Sequence, residues 1–349
     1  MITSGGGPCR YEKSDRLLRT RNKLLGDDFM QLSIRDAALE LGFIDARPVT
    51  GHPFEVWRNR LMSIPLGKHM SFEHDPANAS GWPRAEITLW VAIAPTPPMV
   101  GWPEGCGEIG AFYMRSQLLE KRRIAWEDTA AALGYEIVRD VTLPERAAAI
   151  RAGFGVQGLN GLLITPDHGS FVNITLLLVH AEPPSGAHGP EYDLSPGCDK
   201  CGDCINVCPT GAISENGVNT LLCLRNYISK PEYMPEVDYP KMGRRIQGCD
   251  TCQQVCHYND SLKRERPPAD MIGCMQLGSL LSAPDIDHMS EYILHGYIPE
   301  DRIKIQAVLA AVNTSAKDLL PFIQDLIGSE NKMLDKIARW AVKRLISCY

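Results

Sequence analysis

Eight cysteines confined to residues 198–256 constrain this 349-residue chain more than any other feature. Four stand in one run, Cys198, Cys201, Cys204 and Cys208; three in a second, Cys249, Cys252 and Cys256; Cys223 lies alone between them. Secreted disulfide frameworks belong mostly to short chains, and nothing at the N-terminus (MITSGGGPCRYEKSDRLLRTRNK) has the apolar centre of a secretory leader. Clustered cysteines in a cytoplasmic chain point instead to a metal site, around which the segment must fold. Cys9, Cys106, Cys274 and Cys348 lie outside the pattern and read as ordinary thiols.

The first run reads C-x2-C-x2-C-x3-C-P, the spacing that holds [4Fe–4S] clusters in bacterial ferredoxins, final proline included. Three closely spaced thiolates on one loop can face three corners of a cubane. In two-cluster ferredoxins the fourth points to the other cluster. With Cys223 taken as a displaced first member, the second run completes a matching set of four. The exchange rule then assigns Cys198, Cys201, Cys204 and Cys256 to one cluster and Cys208, Cys223, Cys249 and Cys252 to the other. Zinc is the structural alternative for soft thiolates, but a zinc ribbon needs only two C-x2-C pairs. Two cubanes in series are an electron wire and not a catalyst, so residues 26–190 should receive or supply the electrons.

Those residues alternate helix and strand signals. Ile34, Ala37, Ala38 and Leu41 have helix spacing and meet a stop at Gly42; Ile87 to Ala94 (ITLWVAIA) reads as a buried strand ending at Pro95. Residues 113–133 read as a long helix, Tyr135 to Val138 as a short strand. Thr142-Leu143-Pro144-Glu145 is a capping box with proline in the first turn, opening a helix that stops at Gly153. Gly161 to Thr165 and Phe171 to Val179 are predicted strands. The expected fold is an α/β or α+β layered domain over 26–190, after a mobile 1–25. A two-cluster ferredoxin-like domain follows over 191–265, reached through a linker (181–197) with four prolines and three glycines. Residues 266–349 carry three amphipathic helix patterns, ending with Leu334, Ile337, Ala341 and Leu345, and read as a small helical-repeat module. No apolar run reaches the roughly 18 residues of a membrane span. A net charge of −6 means that a nucleic-acid partner must be met by a local basic face.

The order of these parts, with GCDTCQQVC (Gly248 to Cys256), RAGFGVQGLNGLLIT (Arg151 to Thr165) and GSFV (Gly169 to Val172), resembles the epoxyqueuosine reductases. That family shares a superfamily with the corrinoid-dependent reductive dehalogenases. The resemblance covers roughly residues 30–345. It implies a cobalamin lying against the glycine stretch, whose Gly153, Gly155, Gly158 and Gly161 let backbone approach a flat ligand while Asn160 offers amide hydrogen bonds. It also implies electrons arriving through the clusters from a flavodoxin or ferredoxin, and a tRNA partner. Residues 301–349 hold eight Lys/Arg against five Asp/Glu, with Lys332, Lys336, Arg339, Lys343 and Arg344 as candidate phosphate contacts.

The chain departs from the family on the substrate side. His257 follows the last cluster cysteine in place of proline. The family's catalytic aspartate falls in register with Arg139, and Asp140 is displaced by one residue. Asp140 and Tyr113 are the candidate proton donors, since a buried carboxyl or a phenol can donate at neutral pH. The function expected is therefore a cobalamin- and iron–sulfur-dependent reductase of cytoplasmic location. The alternatives are the same chemistry on a different substrate, or a ferredoxin-like electron carrier without corrinoid.

Overall fold

The computed structural model describes residues 33–51, 54, 57, 86–139, 144–185, 187 and 198–347. The mobile segment expected over 1–25, Cys9, Cys348, Asp140, Thr142 and most of the linker lie outside them.

Ser33 opens α1 (Ile34–Glu40) through a reciprocal capping box with Asp36, and Gly42 (φ +87°) closes the turn that leads to β1 (Asp45–Thr50). The apolar run forms β2 (Ile87–Pro95), and β3 (Glu108–Ile109) is a two-residue strand. A 3-10 turn over Tyr113–Arg115 runs into α2 (Ser116–Ala132), followed by β4 (Glu136–Val138). Helix α3 (Glu145–Arg151) starts two residues later than the capping-box reading requires, with Pro144 at the N-cap rather than in the first turn. After Gly153 (φ +70°) come the short hairpin β5 (Val156–Gln157) and β6 (Leu163–Ile164), then β7 (Val172–His180). The strand read over Gly161 to Thr165 thus shrinks to two residues, because Gly161 (φ +75°) is spent in the hairpin turn.

Strands β1, β2, β7 and β4 form one sheet in that order, antiparallel at every pairing, which decides for α+β. Strand β2 is central, and all but its Trp90 and Pro95 side chains are buried. Leu89, Val91 and Ile93 face the Ala147–Ile150 surface of α3; Ala92 and Ala94 face α1 and α2. Alanines on that second face leave room for Trp126, which is fully buried and donates its indole N–H to the Ile34 carbonyl at 2.9 Å. The sequence reading did not find β1, whose Arg47-Pro48 interrupts the strand pattern. It is an edge strand, where a missing N–H is tolerated.

The cysteine region holds α4 (Asp203–Val207), the hairpin β8 (Ile213–Ser214) and β9 (Gly217–Val218), α5 (Leu224–Ser229), β10 (Arg245–Gln247) and α6 (Thr251–Gln254). Six helices follow: α7 (Ala269–Cys274), α8 (Leu277–Ser282), α9 (Ile286–Met289), α10 (Glu300–Asn313), α11 (Leu320–Asp325) and α12 (Lys332–Ile346). One apolar core joins Ile109 and Met114 to Leu224 and Ile246 of the cysteine region and to Val308, Leu309 and Ile337 of the last helices. Strand β10 pairs in parallel with β3, so 108–109 belongs structurally with the cysteine region.

The two halves are also stitched by polar groups. The Ser170 N–H donates to Asn259 Oδ1 (2.8 Å), and Asn259 Nδ2 donates to Ser170 Oγ (3.0 Å) and to the Gln253 carbonyl (2.7 Å). Gly169, at φ +51°, must be glycine: a Cβ there would lie 1.9 Å from Asn259 Oδ1. Asn259→Ala leaves the buried Ser170 N–H unpaired and should cost about 1–3 kcal/mol, read as a lower urea midpoint.

Candidate redox site

The eight clustered thiols gather into two groups of four. Burial raises the pKa of Cys204, and the thiols of Cys198, Cys201 and Cys256 raise it further. Cys256 responds to burial and then to Cys198 and Cys201. In the second group, burial raises Cys223, as do Cys249 and Cys208; Cys252 is held well above the ordinary thiol range by burial, Cys249 and Cys223. Metal binding at such a set must displace the thiol protons, so its affinity rises with pH. Cys198, Cys201, Cys204 and Cys256 thus act on one another, and Cys208, Cys249 and Cys252 act with Cys223. The groups adjoin, since Cys204 also acts on Cys252.

Local sequence explains the loops. Gly202 (φ +88°) turns the chain so that Cys204 enters the short α4, and Gly248 (φ +83°) does the same ahead of Cys249. A Cβ on Gly248 would lie 2.6 Å from the Tyr113 ring, so the second loop is pressed directly on that tyrosine. Asp250 accepts the Ala111 N–H at 2.7 Å and Gln253 Nε2 at 3.3 Å. Burial raises its carboxyl pKa, and the Ala111 hydrogen bond opposes the rise. Cys201 is exposed, whereas Cys204 is buried, so the first group reaches the surface. His257, beside it, pairs with Asp199 at 3.3 Å.

Tyr297, edge-on to that Tyr113 ring, lines a cavity of about 640 Å³. Ile174, Leu176 and Leu178 of β7 give it an apolar strand face; Glu120, Arg123 and Glu127 of α2 give it a charged one. Arg123 is clamped by Glu120 and Glu127, and Arg139 pairs with Glu127 at 3.4 Å. Glu145, the first residue of α3, also lines the cavity, together with Leu294 and Tyr297. Glu145 is itself exposed; crowding by the surrounding protein raises its pKa, with the Arg146 charge opposing. Arg146 itself turns away, donating to the Gly161 carbonyl at 2.8 Å.

The predicted site residues divide. Tyr113 is buried beneath the cavity wall, edge-on to Tyr297 (centroids 5.1 Å apart), and its Oη accepts a 2.9 Å hydrogen bond from Arg225 Nε. It does not line the cavity; Tyr297 does. Asp140 lies outside the described residues. None of Gly153, Gly155, Gly158, Asn160 and Gly161 lines the large cavity. A Cβ on Gly155 would lie 2.1 Å from the Ile164 carbonyl oxygen, and one on Gly158 would lie 2.6 Å from Asn160 Oδ1. These two glycines therefore serve the tight β5–β6 hairpin. Gly158 and Asn160 flank the Cys198–Cys204 loop. Sequence reasoning missed Glu145 and Tyr297. Glu145 was read as a cap residue, and Tyr297 stands among the helices far along the chain, with no local motif.

Residues 197–259 match the family described as a 4Fe-4S double cluster binding domain. Epoxyqueuosine reductase of Bacillus anthracis is 30% identical over 214 residues, covering 58% of this chain and 54% of that protein. The Escherichia coli epoxyqueuosine reductase is 38% identical over 117 residues, 33% of this chain and 30% of the relative. The chain thus spans about half the length of the Bacillus relative it matches. Among solved structures, epoxyqueuosine reductase from Bacillus subtilis superposes with a TM-score of 0.74 at 20% identity, over 94% of this chain and 91% of the other. An epoxyqueuosine reductase solved with an epoxyqueuosine-modified tRNA-Tyr stem loop gives 0.70 at 20% identity, over the same 94% and 91%. The likeness at this identity establishes a shared fold.

A carboxyl with a raised folded pKa stabilises the protein below its unfolded value and loses that contribution as pH rises through the folded value. Glu145→Gln should therefore unfold at a higher temperature than the parent near neutral pH. The gap should close below about pH 4, where both forms are neutral.

Proposed function

We propose that this chain, a relative of the epoxyqueuosine reductases that carries their double-cluster domain, is a cobalamin-dependent reductase fed through two [4Fe–4S] clusters. One observation supports this above the others: the thiol groups run in series from exposed Cys201 to the second group, which abuts the tyrosine wall of a large cavity with a carboxyl inside. An electron carrier alone needs no such cavity.

The ligands would be Cys198, Cys201, Cys204 and Cys256 for one cluster and Cys208, Cys223, Cys249 and Cys252 for the other. The apolar β7 face opposed to a charged helix suits a flat macrocycle with a polar rim, so Ile174, Leu176, Leu178 and Tyr297 would hold the corrinoid rather than the glycine stretch. When bound, the corrinoid supplies a low-potential metal centre able to pass two electrons to a carbon–oxygen bond. Reducing an epoxide to an alkene consumes two electrons and two protons and releases water. Glu145, with its raised pKa, is the described group best placed to hold a proton at its carboxyl for the departing oxygen. Asp140, close to the same helix start in sequence, is its rival. Leu294 and the β7 side chains would exclude water once the cavity is filled. The domain limits 26–190, 191–265 and 266–349 serve as the functional division, with the last acting as the helical-repeat module. A low-potential flavodoxin or ferredoxin would dock at the exposed first cluster.

A tRNA partner fits α12. Lys332, Lys336, Arg339 and Lys343, at steps of four, three and four, share its exposed face, opposite buried Leu334, Ile337, Ala341 and Leu345. Asp335 holds Arg339 at 2.9 Å, so Lys336 and Lys343 would make the freer phosphate contacts. Charge reversal of both should weaken binding of a tRNA stem loop and lower its salt slope by about two.

Anaerobic reconstitution with iron, sulfide and cobalamin should give about eight irons per chain and a reduced enzyme that converts epoxyqueuosine in tRNA to queuosine. Glu145→Gln should slow that step by about 10²–10⁴ with iron and corrinoid content unchanged; Asp140→Asn measured beside it separates the two acids. Arg139 in the cavity wall, in register with the family's acid, favours a different substrate as the second reading. Loaded clusters and corrinoid with no turnover of epoxyqueuosine would select it.

A further inference from the structure

The β5–β6 hairpin contributes nothing to the walls of the large cavity and faces the first thiol group instead. Leu159 and Asn160 of its turn and Ile164 of β6 line one small cleft with Cys198, Cys201, Cys204 and Cys256. The hairpin is held there by two neighbours. Arg146 of α3 donates to the Gly161 carbonyl at 2.8 Å, and a Cβ on Gly161 would lie 3.1 Å from Val218 Cγ2, in β9 of the cysteine region.

Asn160 is the polar member of this wall, and it is only 7% exposed. Its Oδ1 accepts the Leu162 N–H at 3.2 Å, and a Cβ on Gly158 would meet the same oxygen at 2.6 Å. The oxygen end is thus engaged within the hairpin. Exchanging the two ends of the amide would set Nδ2 against the Leu162 N–H, donor facing donor. What Asn160 keeps for the cleft is its N–H2 group. The cysteine loop brings the opposite character: Asp199 and Asp203 line the cleft with negative charge, and Asp199 pairs with His257 at 3.3 Å. Four thiolates beside carboxylates make the addition of a further electron costly. A hydrogen bond donated to sulfur stabilises the more negative, reduced state and raises the potential.

We infer that the β5–β6 hairpin covers the first cluster and that Asn160 Nδ2 donates a hydrogen bond to its sulfur, raising its reduction potential. Leu159 and Ile164 keep water from the same side. The inference rests on the cluster ligands proposed above and not on the corrinoid.

The test uses the full chain reconstituted anaerobically, with iron and sulfide counted in every preparation. The electron paramagnetic resonance signal that Cys201→Ser alters belongs to the first cluster. In Asn160→Ala the reduction equilibrium of that cluster should move about tenfold toward the oxidised form, a fall of about 59 mV for a one-electron couple, with the other cluster unmoved. The direction separates donation from covering alone. A loosened hairpin admits water, which favours the more charged reduced state and raises the potential. An unmoved or raised potential in Asn160→Ala overturns the inference. Asn160→Asp keeps an oxygen for the Leu162 N–H and so preserves the turn. In protein labelled with nitrogen-15 in its asparagine side chains, the reduced first cluster should show a nitrogen hyperfine coupling that Asn160→Asp abolishes. No coupling in the parent, or the same coupling in the variant, overturns the inference even if Asn160→Ala loses iron. A parent that takes up no iron and sulfide overturns the cluster ligands and the inference together; a full complement with the potential unmoved overturns the inference alone.

Discussion

The exchange of one cysteine between two neighbouring loops is the constraint on which the rest of the molecule depends. Cys256 comes to Cys198, Cys201 and Cys204, while Cys208 is near Cys223 and, through it, Cys249 and Cys252. Neither loop can form its group without the other, so residues 198–256 must fold as one unit. That unit has few apolar residues of its own between Cys198 and Cys208, and it leans on what surrounds it. Gly248 lies against the Tyr113 ring, Asp250 takes the Ala111 N–H, and Asn259 takes Ser170. Each contact reaches into the layered domain, which is why β3 pairs with β10 and not with the main sheet.

The same contacts place the cavity. Tyr113 is the common member: pressed on Gly248 at one side, edge-on to Tyr297 at another, and bonded to Arg225 through its hydroxyl. Its ring is buried at that junction, and its hydroxyl is bonded to exposed Arg225. The carboxyl of Glu145 has the complementary character. It lines the cavity, and crowding by the surrounding protein makes it harder to ionise, against the opposing Arg146 charge.

Much of the fold was legible because its signals are local. Helix α1, strand β2, the long α2 and strand β7 follow from hydrophobic spacing and stop residues, and each lies within three residues of its expected limits. What is less legible has physical causes as well. Pro48 hides β1, whose edge position makes a proline acceptable. In the glycine stretch a missing side chain serves a close approach of backbone as readily as of a ligand. At Gly155 the atom brought close is the Ile164 carbonyl oxygen of the same hairpin.

The sequence by itself determined the double-cluster chemistry: cysteine intervals of two and three residues decide which thiols can share a loop, and no tertiary information is needed to read them. It also determined the buried strands and the basic face of α12, where a helical period alone puts Lys332, Lys336, Arg339 and Lys343 together. Only the tertiary structure decided which residues meet at the cavity. Glu120, Glu145, Leu178 and Tyr297 are separated by up to 177 positions and come from α2, α3, β7 and the turn before α10. No spacing rule links residues so far apart; their meeting depends on the packing of the layered domain against the helices through one continuous core.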